Sequence, residues 1–494
     1  MVSPYHAADA SSELIIYTLV IFSPWAFGTT QAWSIWVTNI AGFSLGALLF
    51  FKLGIRHLGG YRPPRWAGEA DKSSSASLSS TLPAIARIGL LTLTIGFVCF
   101  CLTSAVNARS SYHPYQFSFD YFKHLSWLPY TYDRDSSWFA FWNYFALALS
   151  FWAIWDWLQG KSPNESRARR WSDQSNVAAE PALSTRLRRL LWLLAVNGAL
   201  LGVEGVLQRL SGTDKLLWLV STHINTGAES LFATYAYRSN AAQYFNLLWP
   251  VALGFWWTLQ NAVRHQSRRD QRLARQTHHL LLPCIVIMAA CPIISGSRAG
   301  ALVTMACIIL AGCILLFALR KAHGAAKFGL FLFLLAILGF GIYFGGDQLV
   351  RRMRQFDQGF EQREQTYAAA RPMAKEHPLF GTGPGTFNVL FQFYRSSLDE
   401  YWPAQLHNDW LETLITFGWL GSGMIGLAFL LAVTRWFLPG GIPAEWPFVS
   451  MLWLALGGCL VHARFDFPLQ ICSILLLFLM ICAILFSLTR RGQS

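Results

Sequence analysis

Apolar residues occur along this chain in long blocks, not in the alternating or every-third-residue patterns of a water-facing fold. A hydrocarbon layer of about 30 Å takes roughly 20 apolar residues per helix. Measured against that length, twelve blocks qualify: 12–28, 33–53, 85–105, 137–157, 189–209, 240–262, 280–296, 299–319, 328–345, 409–434, 445–462 and 467–488. The first, seventh and eleventh are short, and only Gly296–Arg298 parts the seventh from the eighth. Backbone polar groups in lipid must be satisfied within the segment, so each block is predicted as an α-helix. Between them, Lys72–Leu82 is Ser-rich and Gly160–Pro181 mixes Ser, Asn and Arg. Neither has a periodicity, and both read as flexible spacers.

The stretch 346–407 is the only polar piece of any size. Asp347–Ala370 reads as a polar, amphipathic helix, and His377–Pro378 ends it. Gly381–Phe387 (GTGPGTF) is a tight turn whose glycines supply unusual dihedrals. Phe387–Trp402 is aromatic-rich and suits a membrane interface or a sugar-stacking surface. The expected fold is therefore all-α and integral to the membrane, with about twelve transmembrane helices and one large outer loop containing short helices. It divides into 1–345 (nine helices and their basic loops), 346–408 (the loop) and 409–494 (three helices).

Composition sharpens the class. Of 494 residues, 13% are charged and 54% apolar, with 15% aromatic. An ordinary soluble protein carries roughly 25% charge, and the mean hydropathy here is +0.35. Soluble, disordered, collagen-like and disulfide-stapled classes are excluded. The net charge of +13 would fit a nucleic-acid partner, but its distribution argues otherwise. With the N-terminus inside, 22 Lys and Arg fall in the inner connections against seven in the short outer ones. This asymmetry sets topology, places both termini in the cytoplasm and removes nucleic acid as a partner. The nine cysteines lie in apolar runs without a C-x-x-C pair and read as small buried hydrophobes. No cleavable signal precedes the first apolar run near Leu14.

Three ionisable residues from distant parts of the chain are expected at the same outer surface: Arg238 in YAYRSNAAQYF, Arg298 in SGSRAGA, and His407 in LHNDWLETLITFGWLG. An arginine at an outer hairpin works against topology, yet its fork matches phosphate oxygens and stays charged. The plainer readings are a headgroup contact for each arginine and a helix cap for the histidine. Asp409 has a capping role open to it, and Glu412 would favour the helix dipole. No spacing suggests a metal site, and His278–His279 lies in an inner basic loop. The residues alone suggest an outer site with two cations and a titratable base, suited to a phosphorylated lipid.

The motifs resemble those of the O-antigen ligase/polymerase superfamily. His407–Gly421 is similar to its His-Asn/Ser-x-x-Leu start followed by a Gly-x-x-Gly pair. Ser297–Arg298–x–Gly300 resembles its Ser-Arg hairpin, and Arg238–Ser239–Asn240–Ala241 its Arg-Asn helix opening. Pro378–Phe387 resembles the Pro-x-x-Gly-x-Gly turn, and His462–Asp466 with Phe467–Pro468 the His-x-x-x-Asp-Phe-Pro stretch. These cover about 205–470 in the family order, whereas the first 200 residues match only in hydropathy.

The resemblance implies a glycosyltransferase, similar to the GT-C type, at the periplasmic face of the bacterial inner membrane. Its donor would be an undecaprenyl diphosphate-linked glycan and its acceptor lipid A-core (ligase) or another glycan (polymerase), with no metal or other cofactor. Carried over, Arg238 and Arg298 would hold the donor diphosphate, and His407 would orient or deprotonate the acceptor hydroxyl. Asn408, Asp409, Glu412, Gly383 and Gly385 are counted as supporting substrate-binding positions. This chain reads Arg-Ser-Asn where relatives often read Arg-Asn, and Arg363 and Arg371 are further cations for the donor. Attack opposite the leaving group would invert the anomeric centre. A secondary transporter is the competing class, but transporters gather their charges at the midplane, and here Glu204 lies inside a block and His462 at the end of one while the notable residues gather at one surface.

Overall fold

A computed structural model describes residues 2–66, 78–162, 165, 183–264, 277–354, 356–395 and 404–490. Among them are fourteen α-helices. In chain order they are α1 (Val2–Trp25), α2 (Ala32–His57), α3 (Leu78–Val106), α4 (Arg134–Leu158), α5 (Thr185–Ser211), α6 (Arg238–Arg264) and α7 (Leu281–Ile294). Then follow α8 (Arg298–Ala318), α9 (Gly324–Met353), α10 (Phe356–Glu376), α11 (Phe387–Leu390), α12 (Asp409–Thr434), α13 (Trp446–Ala463) and α14 (Cys472–Ser487). Strands are confined to two-residue to four-residue ribbons: β1 (Ser110–His113) with β2 (Ser118–Tyr121), β3 (Lys215–Leu216) with β4 (Val220–Ser221), and β5 (Ile442–Ala444) with β6 (Leu488–Arg490).

A helix stands at each of the twelve apolar blocks, but seven among the described residues are both long and apolar enough to cross a membrane. These are α2, α3 from Thr81, α5, α8, α9, α12 with its extension to Phe437, and α13. The other five fall short for two reasons. Helices α7 and α14 have 14 and 16 residues. Helices α1, α4 and α6 are long enough but carry polar side chains that face protein, such as Asp9, Asp156, Gln243 and Asn246, all buried. Side chains on the outer faces of α3 and α9, including Ile85, Ile88, Phe328 and Ile342, are more than half exposed. An exposed apolar surface of that extent fits lipid and not water.

Helix α6 is the central element. Phe245, Trp249, Leu253 and Phe255 are fully buried on it, and α14 is buried along its length. At one end of the bundle a cluster of charges ties four elements together. Asp156 of α4 receives Arg56 at 2.6 Å, Arg65 at 2.8 Å and Lys52 at 3.1 Å, while Arg186 of α5 reaches Asp9 of α1 at 2.5 Å. Removing one member of such a buried cluster would strand the others.

The spacer Lys72–Leu82 is described only from Leu78, where α3 already begins, so its last residues are helical and not a loop. Most of Gly160–Pro181 lies outside the described residues. The polar helix expected over Asp347–Ala370 is divided: α9 runs on to Met353 and α10 starts at Phe356. Helix α10 stops at Glu376, before His377–Pro378, because proline disfavours helical backbone in the residue ahead of it.

The largest departure from the expected pattern is inside α12. Gly418 has φ +59° and ψ −168°, which interrupts the helix. The segment 378–383 fills the gap. Thr382 N–H donates to Ile415 C=O at 2.8 Å and Gly383 N–H to Thr416 C=O at 3.1 Å. Trp419 and Leu420 N–H donate back to Pro378 and Leu379 C=O at 2.8 and 3.1 Å. The groups freed by the break are thus repaired by a second segment, which is the condition for irregular backbone in an apolar setting. A Cβ on Gly418 would meet Leu379 O at 2.4 Å, and one on Gly381 would meet Thr416 O at 2.4 Å. Gly418→Ala is therefore expected to cost on the order of 2 kcal/mol or more from strain and displaced hydrogen bonds. The check is the thermal midpoint of the purified protein in detergent, where an unchanged value would refute the joint.

Candidate functional site

Helices α6, α8 and α12 begin at the same end of the bundle, and sequence-local features fix each start. Ser297 caps α8 by accepting Gly300 N–H at 3.1 Å, and Asn408 caps α12 by accepting Leu411 N–H at 3.2 Å. A Cβ on Gly300 would lie 2.5 Å from the Ala242 Cβ, so this glycine lets α8 press against α6 just inside both starts. Asn246 then bridges the two helices, donating to Gly300 C=O at 3.0 Å and accepting from Thr304 at 2.6 Å. Arg238 and Arg298, the first residues of α6 and α8, are brought to one cavity by this packing.

That cavity is open to solvent and is lined by Tyr237, Arg238, Ser239, Gly296, Ser297, Arg298, Ala299, Arg352, Arg363 and Asp466. Among the described residues, four arginines and one carboxylate line it. Two helix N-termini add backbone donors and positive dipole ends, the usual setting for a bound anion. Arg238 is steadied by donating to Glu229 C=O at 2.6 Å. Arg363, from α10, donates to Phe465 C=O at 2.5 Å and to the Tyr237 hydroxyl at 3.5 Å.

Asp466 organises the wall. It follows α13 and is buried. Its Oδ1 accepts His407 Nδ1–H at 2.9 Å and Phe467 N–H at 3.1 Å. Its Oδ2 accepts the Ser239 hydroxyl at 2.5 Å and the Tyr237 hydroxyl at 3.3 Å, with Arg363 at 3.9 Å. Burial alone would raise its pKa. The His407 hydrogen bond and charge, then Arg363, outweigh burial and hold the carboxyl well below the usual range. At Arg363 burial opposes the charge, but this carboxylate together with Tyr237 and Tyr367 outweighs it and pushes the guanidinium further toward its charged form.

His407 sits immediately before α12 with φ +57°, a left-handed conformation that costs a non-glycine residue. Tyr367 of α10 holds it there by donating to its carbonyl at 2.6 Å. The ring packs edge-on to Phe467 at 4.7 Å and to Tyr237 at 5.9 Å, and these two rings stack on each other. Because a carboxylate only accepts, Nδ1 carries a proton, and in the neutral ring Nε2 keeps its lone pair. The His407 side chain is 29% exposed, and among the described residues no hydrogen bond engages Nε2. A base oriented by a buried acid is the arrangement that removes a proton from a hydroxyl.

Residues 283–426 match the family model described as O-antigen ligase. The chain carries an O-antigen ligase domain. That stretch contains Arg298, Arg352, Arg363 and His407, whereas Arg238 and Asp466 lie outside it. No curated protein matches the chain. Together with the membrane-crossing helices, the match supports a membrane protein of broadly O-antigen ligase or polymerase type.

The remaining expected site residues around the domain divide into supports and outliers. Asn408 is the α12 cap. Asp409 is buried and accepts Leu469 N–H at 2.8 Å, and Glu412 is buried and accepts Leu406 N–H at 2.7 Å. Glu412 therefore holds the backbone just before His407, Asp409 ties the start of α12 to the link before α14, and neither lines the cavity. Gly383 and Gly385 have φ of +107° and +76° and pack the turn against Thr131 and Ser136. Arg371 pairs with Glu364 on the exposed side of α10, away from the cavity.

Sequence reasoning passed over Tyr237, Ser239, Arg352 and Asp466 as site residues. Two of these flank Arg238 directly, and Asp466 stands in a motif already singled out, but its partners lie at remote positions in the chain. His462 belongs to the same network, donating from Nδ1 to Gln243 Oε1 at 2.8 Å with Nε2 3.0 Å from Ser239 Oγ.

Asp466→Asn keeps the side-chain shape and removes the charge that orders His407. We expect a loss of about 2 kcal/mol in stability and a change in the His407 imidazole ¹⁵N shifts; unchanged shifts would refute the pairing. The sign with pH follows from the depressed carboxyl. Its contribution is complete above the unfolded value near 4 and fades as pH falls from there toward the folded value. The gap between wild type and Asp466→Asn, followed by thermal unfolding, should therefore narrow below about pH 4.

Proposed function

We propose that this protein transfers a glycan from an undecaprenyl diphosphate-linked donor to a sugar hydroxyl at the periplasmic face of the bacterial inner membrane, as an O-antigen ligase acting on lipid A-core. The observation that carries the reading is the His407–Asp466 pair set beside a cavity of four arginines. All twelve apolar blocks cross the membrane in this reading, both termini lie in the cytoplasm, and the charge asymmetry of the connections supports that orientation.

His407 Nε2 takes the acceptor hydroxyl proton as the oxygen attacks the anomeric carbon. The bond from that carbon to the diphosphate oxygen breaks, and its electron pair leaves with the phosphate. Negative charge grows on the leaving group, and the arginines are already in place to receive it. Fixed guanidinium groups supply the positive charge, so the step is written without a metal. Attack from the face opposite the diphosphate inverts the anomeric centre. Asp466 keeps the His407 proton on Nδ1 and stabilises the imidazolium once Nε2 is protonated.

The test uses purified protein in lipid nanodiscs with an undecaprenyl diphosphate-linked repeat unit, with and without lipid A-core, and products resolved on a gel. A product that requires lipid A-core supports the ligase. A ladder formed without it would make the protein a polymerase, and no product under either condition would overturn glycosyl transfer. His407→Ala should lower turnover by about 10²–10⁴-fold, the range for loss of a general base. Arg298→Lys, which keeps charge and loses the fork, should fall by at least about tenfold. Normal turnover in either variant would remove that residue from the mechanism.

A further inference from the structure

His462 is a buried ionisable side chain that the proposed reaction does not use. It stands on α13 four residues ahead of Asp466, has no exposed surface and does not line the cavity. Its Nδ1 meets Gln243 Oε1 of α6 at 2.8 Å. An amide oxygen only accepts, so in the neutral ring Nδ1 holds the proton and Nε2 offers a lone pair. That lone pair lies 3.0 Å from Ser239 Oγ. On its other side Ser239 Oγ lies 2.5 Å from Asp466 Oδ2, which also only accepts. A third neighbour, Ser297, gives its own hydroxyl proton to Ser239 at 3.2 Å. A serine hydroxyl has one proton to donate. Two buried acceptors therefore compete for the Ser239 proton, and whichever loses it faces an oxygen lone pair at hydrogen-bond distance.

We propose that His462 is a positioning residue, which by competing for the Ser239 proton sets how firmly Asp466 holds His407. When the hydroxyl points to Asp466, the carboxylate is shared among more donors and accepts more weakly from His407 Nδ1–H. When it turns to His462, Asp466 gives more of its charge to His407. No covalent bond forms or breaks in this exchange; the hydroxyl only rotates. The second arrangement suits the imidazolium that His407 becomes after taking a proton, so the turn adds stabilisation as that charge appears. The effect on His407 is independent of the substrate, and its consequence for turnover rests on the glycosyl-transfer reading.

The experiment records histidine ¹H–¹⁵N spectra of the full-length protein in nanodiscs, with the His407 signals assigned through His407→Ala. In wild type, His462 should carry a proton on Nδ1 and none on Nε2; a proton on Nε2 would overturn the competition. His462→Leu leaves the Ser239 proton to Asp466 and should weaken the His407 Nδ1–H bond, moving that proton upfield. Ser239→Ala removes a donor from Asp466 and should move it downfield. The double variant should match Ser239→Ala, because His462 acts through that hydroxyl. His462→Gln, whose amide oxygen accepts, should return the proton toward its wild-type position. An unmoved or downfield proton in His462→Leu with an unchanged thermal midpoint, or additive shifts in the double variant, would overturn the role. If His462→Leu does not fold, Ser239→Ala decides: the absence of a downfield move overturns it. In the transfer assay, His462→Leu should lower kcat by about three- to tenfold and leave KM within about twofold. The expected spectra without glycan transfer by wild type would overturn the substrate reading and uphold the positioning. Transfer with an unmoved His407 proton in His462→Leu would do the reverse.

Discussion

A single buried carboxylate holds the candidate site of this protein together. Asp466 accepts from His407, Ser239 and Tyr237 and lies beside Arg363, so the loop before α12, the start of α6 and the middle of α10 all converge on the short link between α13 and α14. Burying such a charge is costly unless its lone pairs are used, and here both oxygens are. The same bonds that repay burial also choose the tautomer of His407 and aim its free nitrogen. In the proposed mechanism, stability and chemistry rest on one set of hydrogen bonds.

A second constraint explains how polar backbone is tolerated next to an apolar bundle. Helix α12 is broken at Gly418, and the glycine turn 378–383 enters the break and satisfies the exposed groups. Glycine is required on both sides because the two backbones approach too closely for a Cβ. The joint anchors the segment after α10 directly to the helix that His407 precedes. Helix α10 itself contributes Tyr367 to the His407 carbonyl and Arg363 to the cavity. The turn counted among the substrate-binding positions thus also braces the segment that carries His407.

The positive cavity follows from helix packing. Gly300 allows α8 to meet α6, and the two arginines that open these helices then share a site with Arg363 and Arg352. In isolation each arginine is a plausible headgroup contact. Their convergence, in a cavity with one already engaged carboxylate, is what turns four ordinary cations into an anion site.

The apolar blocks alone determined that the chain is helical and lies in a membrane, since hydrocarbon permits few other ways to satisfy a backbone. The short motifs around Arg238, Arg298 and His407 likewise marked residues that the structure brings to one cavity and to the Asp466 in its wall, because arginine forks and a lone histidine are chemically distinctive. Which blocks are long and apolar enough to cross was only partly legible: in α6, polar residues face protein instead of lipid, and hydropathy averages over both faces. The break at Gly418 was hidden because its compensation comes from a turn more than thirty residues earlier. Asp466, Ser239 and Arg352 were also beyond reach as a set, because hydrogen bonding depends on distance in space and not along the chain. Only the tertiary structure joins residues 237–239, 298, 352, 363, 407 and 466, and it does so because a buried charge is stable only where every partner arrives at once.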